Sequence, residues 1–119
     1  MLKGFEDITQ PLSEYELNTL LPLFIKGFEK KIGKGNSVTN KEIVSVLKSK
    51  GFKTSDVGVR KIVNHIRRHD LVSGLIASSS GYYITRDRQE VNDYIESLKG
   101  RENEIRRVRQ SIEKYLLTL

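Results

Sequence analysis

Hydrophobic positions along this chain recur first at helical spacing, then in alternation, then at helical spacing again, and the changes of period mark its elements. Leu17, Leu20, Leu21, Phe24, Phe28 and Ile32 fall on one helical face, preceded by a capping box of Ser13 and Glu16. They predict a first helix over about 14–32, closed by Gly33–Asn36. Pro22 lies inside it, where a missing amide and a clash with the preceding turn demand a kink or a restart. Thr39 and Glu42 form a second capping box, and Ile43, Val46 and Leu47 then share a face until Gly51, predicting a second helix over about 40–50. After the turn Gly51–Thr54, with Ser55 or Thr54 as cap, Val59, Ile62, Val63 and Ile66 make the buried stripe of a third helix over 55–69. The period then changes. Leu71-Val72 and Leu75–Ala77, the tip Ser78–Gly81 and Tyr82–Thr85 predict two short strands around a tight turn. Alternation turns Tyr82 and Ile84 inward and leaves Tyr83 exposed. Asp87 and Glu90 form a third capping box, opening a helical stretch that runs to the C-terminus.

The fold class expected is mostly α with a small β-hairpin, and 119 residues allow one core with appendages. The division expected is an N-terminal extension over 1–12, a folded domain over 13–86 and a helical tail over 87–119. In the tail Val91, Leu98, Ile105, Ile112 and Leu119 recur every seven residues, and Ile95, Val108, Tyr115 and Leu116 fill much of a second row. One unbroken helix of that length spans about 50 Å, more than a small domain can cover, so the stripe predicts a homo-oligomer. Gly100, Arg101 and Glu102 interrupt it, which leaves open the alternative of two shorter helices folding back as a helical hairpin onto the first helix.

Charge changes this picture more than composition does. The net charge is +6, and residues 34–74 hold nine basic against three acidic side chains, while the flanking stretches nearly balance. A positive field concentrated in one window attracts a polyanion. The absence of cysteine excludes disulfides and thiolate metal sites and fits a reducing compartment. The first residues lack the basic start and apolar run of a secretory signal, and no apolar run is long enough to cross a membrane, so a cytoplasmic location without a membrane partner is expected. His65 and His69 stand four apart, a metal-ligand spacing, but without the glutamate of a zinc hydrolase helix and beside Arg67 and Arg68. Gly33-Lys34-Gly35 lacks the hydroxyl residue of a phosphate loop. No serine or cysteine is set up as a nucleophile, so neither enzyme activity, nor a cofactor, a metal or a small-molecule substrate is expected.

The stretch Thr39–Thr85 has a capped helix, a glycine turn, a basic second helix and a hairpin closing on Gly-Tyr-Tyr-Ile. It resembles the winged helix-turn-helix DNA-binding superfamily, and the layout is similar to short winged-helix proteins of phage and prophage genomes. The resemblance implies double-stranded DNA as partner, in a regulatory, replication or packaging role, with helix 55–69 in the major groove. Independently of it, the face of that helix opposite the apolar stripe carries Val57, Arg60, Lys61, Asn64 and Arg68. Arg60, Lys61, Asn64 and Arg68 are side-chain types that read bases; Val57 is expected instead to pack on the second helix. Lys41, Lys53 and Arg67 are expected at phosphates, with Thr54 and Ser55 as caps first and phosphate ligands second. The hairpin tip has no Arg or Lys to enter a minor groove. The rival reading is a protein–protein assembly module working through the tail; single-stranded nucleic acid, which needs exposed aromatics, has only Tyr83 in its favour.

Overall fold

A computed structural model describes residues 5–119 of the chain. The first four positions of the expected extension lie outside the described residues. The elements are α1 (Phe5–Thr9), a π-turn (Glu16–Leu20), α2 (Leu21–Phe28), a 3₁₀ turn (Lys34–Asn36), α3 (Asn40–Ser49), α4 (Asp56–Arg68), β1 (Leu75–Ser78), β2 (Gly81–Ile84) and α5 (Arg88–Leu116). The molecule is mostly helical, with one two-stranded antiparallel sheet and a long C-terminal helix. Residues up to Arg86 form one compact unit and Asp87–Leu119 a second.

The restart that Pro22 demands is present: a π-turn ends at Leu20 and α2 begins at Leu21. Residues 14–28 are continuously helical, and the turn before the proline widens so that the Leu21 amide donates to the Glu16 carbonyl five residues back. Pro22 then sits in the first turn of α2, where no amide is needed. The capping box ahead of it forms both ways: the Ser13 amide donates to Glu16 Oε1 at 2.9 Å and the Glu16 amide to Ser13 Oγ at 3.2 Å. The helix stops at Phe28, short of the expected end at 32, because residues 31–38 serve the sheet instead. Ile32 bridges Ile84 and Val38 bridges Tyr82, and the Val38 and Tyr82 amides donate to each other's carbonyls at 2.9 and 2.7 Å.

The strand β2 is therefore bonded on both edges, by β1 in the register Leu75↔Ile84 to Ser78↔Gly81 and by the 31–38 loop. This corrects the alternation read from sequence. Tyr82, Tyr83, Ile84 and Thr85 are all buried, with Tyr83 only 5% exposed beside its cross-strand neighbour Ile76. The single exposed aromatic on which base stacking depended is thus buried.

The core joins Leu20, Leu21, Phe24 and Phe28 to Leu47 of α3, to Val59, Ile62, Val63 and Ile66 of α4, and to Val72, Leu75, Tyr82 and Ile84. The Phe28 ring stands edge-on to Phe24 and to Tyr82, with centroids 6.1 and 6.0 Å away. Leu17 and Val46, placed on buried faces by their spacing, are about half exposed. Thr39 caps α3 with its full capping box, and Ser55, not Thr54, caps α4 through the Gly58 amide at 3.0 Å.

The tail is one helix of 29 residues, not a helical hairpin. Gly100 lies within it, and the roughly 1 kcal/mol that glycine costs relative to alanine does not interrupt it. No residue of α5 is buried; Leu119, expected in the seam, lies beyond its end at Leu116. No helix among the described residues is long and apolar enough to cross a membrane.

Candidate functional site

The basic face of α4 is divided by α1, which the sequence did not predict. Five residues are too few for periodicity to register. Around it, residues 5–16 hold four carboxylates, Glu6, Asp7, Glu14 and Glu16, and no Lys or Arg. This acidic segment packs on α4: the Asn64 side-chain amide donates to the Ile8 carbonyl at 3.3 Å, and Lys61 Nζ meets Glu16 Oε1 at 2.8 Å.

The Lys61–Glu16 pair is well shielded, with side chains 17% and 14% exposed. Burial alone pushes the Glu16 carboxyl up; the hydrogen bonds from Lys61 and from Ser13, with the lysine charge, bring it below its ordinary value. Two of the four expected base readers, Lys61 and Asn64, are thus engaged within the chain. The other two differ in setting. Arg60 is exposed and meets Asp56 at 3.0 Å, but with both side chains more than half exposed such a pair contributes only about 0–1 kcal/mol and exchanges readily for another anion. Arg68 is exposed at the last position of α4. Val57, expected to pack on the preceding helix, is 47% exposed.

Two clefts flank the α1 contact. The larger, of about 490 Å³, lies between the start of α3, the outer face of α4 and the hairpin. Lys41, Arg60 and Arg67 line it with Thr39, Ser78 and Ser79, and Asp56 is the one carboxylate among its described lining. Each side chain is fixed by its element. Thr39 and Asn40 stand at the capped start of α3, Arg60 and Arg67 are seven residues apart on α4, and the serines form the hairpin tip. Ser78 Oγ donates to the Gly81 carbonyl at 2.9 Å and accepts from the Ser80 amide, so it closes the turn, while Ser79 faces the cleft. On the cleft wall the buried Tyr82 hydroxyl bonds the Asn40 side chain, and burial raises its ionisation above the ordinary phenol value. Asn40 Oδ1 is buried without a hydrogen-bond partner among the described residues.

The smaller cleft, of about 340 Å³, is lined by Lys61, His65 and Arg68 of α4, by His69 just past its end, and by Gln10, Pro11 and Leu12. The two imidazoles stand 4.5 Å apart. Burial, then the charges of His69 and Arg68, hold the His65 pKa below its ordinary value. Folded protein therefore resists protonation at His65: its neutral form costs nothing above about pH 6.5, and stability falls as pH drops below that reference value. Urea unfolding between pH 7.5 and 5.5 is expected to show this fall, and His65→Gln to lessen it. No group of three or more metal-ligating side chains occurs among the described residues.

Lys53, Thr54 and Ser55 occupy the turn between α3 and α4. Tyr15 clamps that turn from 38 residues away, its hydroxyl donating to the Lys53 carbonyl at 3.1 Å and accepting from the Lys53 amide at 3.2 Å. Lys53 itself is exposed, and Thr54 is half-buried. Of the expected phosphate set, Lys41 and Arg67 thus converge on the larger cleft while Lys53, Thr54 and Ser55 stand apart from it. Comparison with protein-family models, curated proteins and solved structures returned no match.

Proposed function

We propose that this chain is a double-stranded-DNA-binding protein of the winged helix-turn-helix type, not an enzyme, and that it engages the duplex through the larger cleft. The observation that carries the reading is the convergence of Lys41, Arg60 and Arg67 with the α3 start and the serine hairpin tip around one cleft. Cations, a capped helix start and hydroxyls are the groups that hold phosphates, and Arg60 projects from the helix that would enter the groove. The order helix, turn, helix, hairpin and the Val38–Tyr82 bridge, which adds a third short edge to the sheet, support the winged-helix assignment. Lys41, Arg60 and Arg67 form the first contact set, with Asn64 on the same cleft but its side-chain amide held by the Ile8 carbonyl; Lys61 reaches a duplex only after Glu16 releases it. Arg68 lies beyond that contact, and Lys53 with Thr54 and Ser55 flanks the groove-entering end of α4.

An NMR titration with a short duplex tests the placement. Amide shifts concentrated at 39–41, 56–67 and 78–81 are expected. Shifts confined to α5, or none, would count against it.

Glu16→Gln separates the two states of Lys61. It keeps the hydrogen-bonding shape and removes the countercharge, so stability should fall by about 1 kcal/mol while duplex affinity at low salt rises several-fold, by roughly the contribution of one added phosphate contact. Denaturant unfolding and fluorescence anisotropy read the two effects, which run in opposite directions.

Self-association through α5 belongs to the same proposal. Ile105, Val108, Ile112, Tyr115 and Leu116 are all more than 60% exposed, an apolar row that water does not favour. That row is also what supports the second reading, a protein–protein assembly module that binds no DNA.

A further inference from the structure

We infer that α5 pairs with α5 of a second copy in antiparallel orientation, centred between Ile105 and Val108. The inference rests on the self-association reading above and supplies what that reading lacks, the direction of the partner. Because α5 is one unbroken helix, its side chains hold a single heptad phase from Arg88 to Leu116. With Leu98, Ile105 and Ile112 at the a positions, Arg101, Val108 and Tyr115 fall at d. Ile95, Glu102, Arg109 and Leu116 then fall at e, on the flank of the seam.

The flank decides the orientation. In antiparallel pairs a faces d and e faces e. Centring on Ile105 and Val108 sets each of these against the other's partner copy, and Leu98 against Tyr115. The same alignment sets Ile95 against Leu116, apolar on apolar, and Glu102 against Arg109, acid on base; each contact occurs twice by symmetry. Arg101 falls beside Ile112, where its stem covers the isoleucine and its head reaches water. A parallel, in-register pair is worse at three of these places. It sets Arg101 against its own copy within the seam, Ile95 beside Glu90 and Leu116 beside Ser111, and retains only Glu104 against Arg109 as an attractive flank pair. Like charges in the seam and apolar side chains beside polar ones are what select against an orientation.

The observed exposures fit a face that is still open. Ile95 and Leu98 are about two-fifths exposed, and Ile105, Val108, Ile112 and Leu116 more than three-fifths. The ion pairs within the helix, Arg109–Glu113 at 2.5 Å and Arg106–Glu102 at 4.0 Å, are exposed pairs that exchange at little cost. Glu102, which looks like a break in the seam when one chain is read alone, is a flank partner when two are read together. One consequence concerns DNA. At 1.5 Å per residue the two α5 starts stand about 55 Å apart, more than the roughly 34 Å of one duplex turn.

The absence of native cysteine makes the test direct. Full-length Leu98→Cys and Tyr115→Cys variants are oxidised singly and as an equimolar mixture at low micromolar concentration, beside sedimentation of the natural protein. The expected result is a disulfide-linked dimer in the mixture and little in either variant alone. Glu102→Cys with Arg109→Cys, which leaves the seam intact, should behave in the same way. Cross-linking of each single variant as efficient as that of the mixture would overturn the antiparallel orientation and leave self-association standing. A monomer in sedimentation with no cross-link in any sample would overturn both.

Discussion

Lys41, Arg60 and Arg67 changed together to alanine should lower affinity for a mixed-sequence duplex by at least about 100-fold at low salt. The reasoning is additive. Each cation that neutralises a phosphate contributes about 0.9 to the logarithmic salt slope, so three should remove close to 3, and a side chain at a base edge adds about 1–3 kcal/mol of its own. Lys41 and Arg60 are exposed and Arg60 contributes only its weak pair with Asp56, whereas Arg67 is half-buried, so thermal unfolding of the variant is measured beside the affinity. The matched control is Lys99, Arg106 and Lys114 changed to alanine, which removes the same net charge from α5. That variant should lose affinity only slightly. Equal losses in the two variants would mean that overall charge, not the cleft, attracts the duplex.

Gly81→Ala should destabilise the first unit by about 3 kcal/mol, a fall in Tm of roughly 15 °C for a domain of this size. Gly81 begins β2 at φ +119°, a conformation that side chains rarely adopt. An added Cβ would also press into the carbonyl of Val38. Relief of that clash would separate β2 from the 31–38 loop, losing the paired bonds between Val38 and Tyr82. These bonds hold the hairpin against the start of α3, so the same substitution should weaken duplex binding, whereas Gly100→Ala on the open surface of α5 should be neutral or mildly stabilising. Thermal unfolding by circular dichroism compares the two.

What could be read in the sequence was what is local. Thr39 with Glu42, Ser55, and Asp87 ahead of Glu90 act within three residues, and each marks a helix start in the structure. The Val59, Ile62, Val63 and Ile66 stripe is the centre of the core because its spacing admits one buried face. The hairpin's place followed from its change of period. The rest depended on partners distant in the chain. Tyr83 looked exposed because alternation assumes one open sheet face, and nothing near it in sequence announces that this face is covered. Ile32 and Val38 are bridge residues separated by a glycine turn, so neither forms a run. For the site, Arg60, Lys61, Asn64 and Arg68 share an outward stripe, as helical geometry requires, but the acidic segment over Lys61 and Asn64 comes from 45 and 56 residues away. The clue available was its composition: four carboxylates and no base in residues 5–16, ahead of the most basic window of the chain.

The measurement closest to the central claim is fluorescence anisotropy of a labelled mixed-sequence duplex with the natural protein across a salt series. DNA binding through the cleft predicts affinity that falls steeply with salt, with a logarithmic slope of about −3 or steeper. No binding at low salt, or a slope near zero, would contradict it and leave α5 as the surface through which the protein acts.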